Sequence, residues 1–315
     1  MKTFMLSLLT YKSTHIKCLI KKIKSKFDIK AVFEYVCMIV SIHNMQPEIS
    51  VIIPSYKPGN YITECLMSLA AQTISKDLFE VIVILNGCDE PWRSDLASLL
   101  EKLRSEYGMS GQLLHSDIGN VSNARNMGLA QAQGNYICFI DDDDYVSEKY
   151  LERLYEKADK YTVPLCRPYS FKDDDRSELR YSIADEYHRR FPYGRQPFYK
   201  AKKFFQGPCM KLIHRDIIGD RLFDTRFTNG EDSIFMFLIS DRLRYVDFTL
   251  GDAVYYRRVR QQSAHSQMHD RKIRFKAAWN KMRMFTGYYF AAPRRYSLRF
   301  YLTRLLACVK TIINR

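Results

Sequence analysis

Four consecutive aspartates, Asp141, Asp142, Asp143 and Asp144, follow the apolar run YICFI at residues 136–140 with no spacer. Adjacent carboxylates repel one another, and a buried strand gives no reason of its own to end in them. Two chemistries fit the residues alone. A hard divalent cation such as Mg²⁺ or Mn²⁺ takes oxygen ligands, and one or two of these carboxylates plus the oxygens of a diphosphate would fill its shell. Equally, the run is a solvated acidic loop or the cap of the helix after it, since Asp is favoured before a helix N-terminus. A second acidic pair, Glu231-Asp232, opens the apolar segment SIFMFLIS, where it complements the helix dipole. Three further aspartates, Asp173, Asp174 and Asp175, read as a solvated loop.

The elements that must position these groups alternate. The run ISVIIP at residues 49–54 has the pattern of a buried strand, and residues 60–71 have helical spacing. FEVIVIL at 79–85 is a second strand, closed by the turn pair Asn86-Gly87. A helix over 91–107, a short strand at 112–115, a helix over 121–133 and the strand at 136–140 follow. Ser147 is placed to cap a helix over 147–160. Such alternation predicts an α/β fold with a mostly parallel, doubly wound sheet, whose ligands bind beyond the carboxyl ends of the strands. Pro54-Ser55-Tyr56, Asn86-Gly87 and the aspartates all fall at those ends. Residues 161–256 are less regular, and residues 271–315 read as basic amphipathic helices broken at Pro293.

Charge divides the 315-residue chain more sharply than composition does. Residues 1–47 carry eight Lys/Arg against two acidic residues, and 257–315 carry fifteen against one, so the middle is acidic although the whole has a net charge of +14. Both basic flanks mix Lys/Arg with large apolar residues, which favours an anionic membrane surface. Nucleic acid is excluded as a partner by the lack of any basic–aromatic recognition module. Residues 296–313 have the makeup of an interfacial helix, with Arg299, Arg304 and Lys310 among Leu, Phe, Tyr and Ile. No run reaches the ~18–20 apolar residues of a spanning helix, and residues 1–10 lack a cleavage site for secretion. The eight cysteines are scattered with no C-x-x-C pair, which argues against zinc and for a reducing, cytoplasmic setting.

The order and spacing of ISVIIPSYKPGNYITECLMSLAAQT, VIVILNGCD, IGNVSNARNMGLAQAQGNYICFIDDDDYV and NGEDSIF resemble glycosyltransferase family 2, over roughly residues 48–265. The resemblance implies a GT-A, Rossmann-like fold with an acceptor-side region after the sheet, flanked here by basic helices. It implies an inverting transfer from a nucleoside-diphosphate sugar. Carried onto this sequence, Pro54 and Tyr56 frame the base, Arg125 lies near base or diphosphate, and Asp141 and Asp143 form the D-x-D element. Asp141 faces the ribose and Asp143 the metal, Mn²⁺ or Mg²⁺, with Asp142 also within reach of the nucleotide. Asn86 stands where the family has the second Asp of a D-D-G-S turn, and Leu85 replaces the first. An amide can still accept from a uracil N–H. Asp232 matches the catalytic base.

Two residues carry open readings. Lys211 is either a phosphate or acceptor contact or a surface lysine, and His265 is either a further metal ligand or diphosphate contact or a solvated loop histidine. The expected organisation is a basic apolar extension at 1–47, a transferase domain at 48–256 and basic amphipathic helices at 257–315. Within the domain, 48–160 holds the nucleotide-sugar and 161–256 the acceptor. The expected activity moves a sugar, from a UDP-sugar, onto a hydroxyl of a growing and lipid-linked surface glycan, at the inner face of the cell membrane. The alternatives are an inert sugar-nucleotide or glycan-binding module on the same fold, to which Leu85 gives weight, and a peripheral membrane scaffold.

Overall fold

The computed structural model describes residues 46–313, apart from Thr228 and residues 261–270. The expectations on the N-terminal extension and on His265 lie outside the described residues.

The first half winds as its apolar periodicity requires. In order come β1 (Ile49–Ser55), α1 (Tyr61–Ala70), β2 (Phe79–Asn86), α2 (Trp92–Tyr107), β3 (Gly111–Ser116), α3 (Val121–Gln131) and β4 (Tyr136–Phe139). β1 and β2 are buried along their whole length, so both faces are mostly apolar, and the buried Ser50 hydroxyl donates to Glu80 at 2.6 Å. Each fully buried Ile or Val there contributes about 1.5–3 kcal/mol. The sheet order is β3-β2-β1-β4-β9, parallel except for its antiparallel edge strand β9 (Ile213–His214). The carboxyl ends of β1, β2 and β4 therefore lie side by side.

α3 packs on β1 and β2. A Cβ on Gly128 would meet Ile52 Cγ2 at 2.5 Å and Ile84 Cδ1 at 3.1 Å, so glycine is what lets this helix approach the sheet. Its start is set by Asn120, whose side chain accepts from the Asn123 N–H at 3.0 Å, a cap worth about 1 kcal/mol.

The less regular second half builds two small sheets. After β5 (Tyr145–Val146) and α4 (Tyr150–Lys157) come β6 (Thr162–Leu165), β7 (Arg167–Lys172), α5 (Ser182–Arg190), β8 (Gln196–Pro197), β9, α6 (Arg215–Ile218), α7 (Glu231–Leu238), β10 (Tyr245–Phe248) and β11 (Val254–Val259). The orders are β6-β10-β8 and β5-β11-β7. Ser147 is not a helix cap: α4 starts at Tyr150, while the Ser147 hydroxyl donates to the Asp252 carbonyl at 2.7 Å and accepts from Val254 N–H at 2.8 Å. It ties the strand after the aspartates to β11.

Two helices close the chain, α8 (Arg271–Ala291) and α9 (Leu298–Ile313). They pack on each other and on the domain: the Phe300 ring stacks on Phe237 of α7 at 5.9 Å, and Tyr296 donates to the Leu238 carbonyl at 3.2 Å. No helix among the described residues is long and apolar enough to cross a membrane. Cys65, Cys88, Cys138, Cys166, Cys209 and Cys308 are free thiols.

Candidate active site

The carboxyl ends of β1, β2 and β4 carry the groups the sequence singled out. Ser55, the last residue of β1, donates its hydroxyl to Asp142 Oδ2 at 2.6 Å. Its carbonyl accepts from Asn86 Nδ2 at 2.7 Å. That bond fixes which way the Asn86 amide faces, and its oxygen is left without a protein donor among the described residues. Gly87 follows at φ +68°, where a Cβ would strike the Gly119 backbone at 2.4 Å. Only glycine permits this close approach of the two loops. Tyr56 is the first residue beyond β1 and is 54% exposed, whereas Pro54 is buried inside the strand.

The aspartates turn back under β11. Arg258, buried, is the anchor. Its N–H donates to Asp144 Oδ1 at 2.8 Å, its Nε to the Asp143 carbonyl at 2.8 Å and its Nη1 to Asp173 at 2.7 Å, and Nη2 pairs with Glu64. Asp144 is thus spent on structure. Asp173 is not a solvated loop residue, since it also accepts from the Tyr61 hydroxyl at 2.7 Å. Burial first, and then the charge of Asp143 and Asp141, push the Asp144 carboxyl well above its ordinary range. Burial, opposed by the Ser55 hydroxyl, lifts Asp142 to about 7. Burial and Asp141 also raise Asp143, while Arg260 opposes the rise from 2.7 Å.

These are hard oxygen donors crowded together, with a guanidinium drawn onto Asp143. That arrangement fits a divalent cation. Among the described residues no three His, Cys, Asp or Glu side chains are gathered to hold one, so Asp143 and Asp141 would supply part of the shell and phosphate oxygens the rest.

Asp232 approaches from another direction. Asn126 of α3 holds the backbone of Phe223, accepting from its N–H at 2.8 Å and donating to its carbonyl at 2.9 Å. The Phe223 ring stacks on Phe235 of α7 at 3.8 Å. α7 is thereby registered against α3, one residue from Arg125, and Asp232 sits in its first turn. Arg125, buried over the Phe223 ring, donates to Asp232 Oδ1 at 2.5 Å and to Asp141 Oδ1 at 3.2 Å. One guanidinium therefore joins Asp141 to Asp232, although 91 residues separate them in the chain. Burial works against the Arg125 charge, but Asp232 and Asp141 outweigh it and hold the group above its ordinary range. Burial pushes Asp232 up to about 7, against the pull of Arg125 and with the help of Glu231 and Asp141. Its side chain stays 30% exposed, so a hydroxyl can reach it.

Lys211 is a correction. It is not on the surface: the side chain is wholly buried, donating to the carbonyls of Gly207 at 2.7 Å and Cys209 at 2.5 Å. Burial lowers its pKa to about 8. Its work is to pin the loop that passes beside Asp232, where a Cβ on Gly207 would lie 3.8 Å from Oδ2.

The described geometry and the sequence converge on one family. A family model described as Glycosyl transferase family 2 matches residues 50–222, more than half of the chain. The chain belongs to that family. It is similar to glycosyltransferase GlyA of Streptococcus pneumoniae, 30% identical over 145 residues, covering 45% of this chain and 20% of that protein. It is also similar to the poly(ribitol-phosphate) beta-N-acetylglucosaminyltransferase TarS of Staphylococcus aureus, 36% identical over 103 residues, covering 33% of this chain and 17% of TarS. The matches thus span a fifth or less of these relatives' length. Among solved structures, S. aureus TarS 1–349 in complex with UDP-GlcNAc superposes with a TM-score of 0.56 at 21% identity, covering 84% of this chain and 81% of that one. The shared fold is that of GT-A glycosyltransferases.

Proposed function

We propose that this chain transfers a sugar, with inversion, from a nucleoside-diphosphate sugar to a hydroxyl of a growing surface glycan. The observation that carries the reading is the Arg125 bridge between Asp141 and Asp232, because inverting transfer needs a base and a donor-binding carboxylate facing one cleft. UDP is the favoured nucleotide: the free Asn86 oxygen can accept from a uracil N–H, Tyr56 is exposed beside it, and the solved relative TarS holds UDP-GlcNAc. The relatives' names, which include teichoic acid biosynthesis, favour a polysaccharide acceptor.

In this reading Asp232 takes the proton from the acceptor hydroxyl as that oxygen bonds to the anomeric carbon. The bond from that carbon to the donor phosphate breaks on the opposite side, and the nucleoside diphosphate leaves with the electron pair. Arg125 keeps Asp232 aimed and half-compensated, and Asp141 reaches the ribose. Asp143 and Asp141 would hold Mn²⁺ or Mg²⁺, whose chemistry there is neutralisation of the departing diphosphate. Lys211 positions the loop beside the base. The organisation proposed is a transferase domain at 48–256, with its nucleotide half at 48–160, between the extension 1–47 and the basic helices from 257. The chain works at the cytoplasmic face of an anionic membrane that presents a lipid-linked acceptor.

A thermal-shift screen of nucleoside diphosphates and their sugars, with and without Mn²⁺, tests the donor site, since a ligand of the native state raises Tm. The expected result is a UDP-dependent rise that needs the metal. No rise with any nucleotide in either condition would remove the donor reading.

A further inference from the structure

The turn between α8 and α9 holds a cluster that the cleft does not use. Arg294 and Arg295 line, with Asp241, Arg242 and Arg244, a hollow of about 360 Å³. Its one carboxylate is already spent, because Arg221 holds Asp241 at 2.6 Å. Arg242 donates to the Asp216 carbonyl at 3.0 Å and stands 3.9 Å from Asp220. Among the described residues Arg244 reaches only the Asp241 carbonyl, at 3.4 Å. The guanidiniums of Arg294 and Arg295 have no partner among the described residues. Four cations facing one hollow repel one another unless an oxyanion joins them, and the planar guanidinium matches a phosphate best.

The surface beside the hollow is apolar. Phe290, in the last turn of α8, and Leu298, Leu302 and Leu306 of α9 are each between 47% and 67% exposed. Spacing of four sets the three leucines in one row along the helix. The opposite face of α9 is fully engaged: Phe300, Tyr301 and Cys308 are buried, and the buried Arg304 donates to the Lys202 carbonyl. Arg304 is therefore not a cation of an interfacial face, as its place in the sequence suggested. The helix cannot roll to hide the leucines without breaking its inner packing. Its outward row is a fixed apolar ridge next to a basic hollow roomy enough for a phosphate headgroup.

We propose that the arginine hollow and the leucine row form a single docking surface for an anionic phospholipid membrane, with a lipid phosphate in the hollow and the leucines at the acyl boundary. Nucleic acid would supply phosphates and nothing for the leucines. A soluble phosphate would leave Phe290 and the leucine row in water. The assignment rests on the membrane-surface reading above and gives it a specific face.

The test is co-sedimentation of the full chain with phosphatidylcholine vesicles, with and without phosphatidylglycerol. It compares wild type with Arg294→Glu/Arg295→Glu and with Leu302→Ser/Leu306→Ser. Wild type is expected to pellet with the anionic vesicles only, and each double variant to bind them at least about tenfold more weakly. Donor hydrolysis without vesicles is expected to be equal in all three proteins, which certifies folding and separates this claim from the transferase reading. The claim is overturned if the arginine variant pellets as wild type does or if wild type binds both vesicles alike. Wild type that pellets with neither vesicle also overturns it.

Discussion

Arg125 donates to Asp232 at 2.5 Å from inside the domain, and its second terminal nitrogen reaches Asp141. A single buried cation thus compensates a carboxylate from α7 and one from the end of β4. Removing it strands both. Arg125→Ala is expected to destabilise the fold by about 3–5 kcal/mol, as for a broken buried ion pair, measured by urea denaturation. Arg125→Lys keeps the charge but lacks the planar fork that spans two carboxylates. Its turnover is expected to fall at least about tenfold with a much smaller loss of stability. A lysine variant with full turnover would show that the bridge does not aim the base.

The raised Asp232 carboxyl gives a pH profile. Its proton is held up to about 7, mainly by burial, so the base form appears only as pH rises through that value. Turnover is expected to fall tenfold per unit on the acid side of pH 7 and to level off above it. A profile flat from pH 5 to 8 would contradict the assignment.

The same shift bears on stability. A carboxyl raised from about 4 in the unfolded chain to about 7 in the folded one binds more protons when folded. Its ionisation therefore costs the folded state increasingly as pH rises from about 4 through 7. Asp232→Asn cannot ionise, so it is expected to melt higher than wild type at pH 8, by on the order of 2 kcal/mol, with little difference at pH 4. Differential scanning calorimetry at the two pH values checks this.

Arg258 holds the acidic turn from behind, through the Asp143 carbonyl and the Asp144 carboxylate. Arg258→Lys is expected to loosen that turn and raise the Mn²⁺ concentration for half-maximal turnover at least about tenfold, while the dependence on acceptor concentration changes little. Equal metal dependence in the two proteins would confine Arg258 to a structural role.

How much of this was legible in the sequence follows from the range of the forces involved. The strands 49–54, 79–85 and 136–140 are apolar because both faces are covered, and that pattern is local. So is the turn at Asn86-Gly87. The gathering of Asp141 and Asp232 was reached only through the order of whole motifs, since no local rule links residues so far apart. Arg258 and Arg260 gave no signal of their own: in RRVRQQSAHS they look like part of a basic tail, and only the pairing of β11 with β5 and β7 turns Arg258 under the aspartates. Asp173 was misread for the same reason. Lys211 was misplaced because a buried lysine is costly and so a poor expectation, and only the folded loop reveals the two carbonyls that compensate it.

Sugar transfer by Asp232→Asn, measured beside its affinity for nucleoside diphosphate, bears most directly on the central claim. The amide preserves shape and cannot take a proton, so transfer is expected to fall about 10²–10⁴-fold with nucleotide affinity kept. Transfer at the wild-type rate would contradict the account and leave Asp232 a helix-capping carboxylate beside a cleft that finds its base elsewhere.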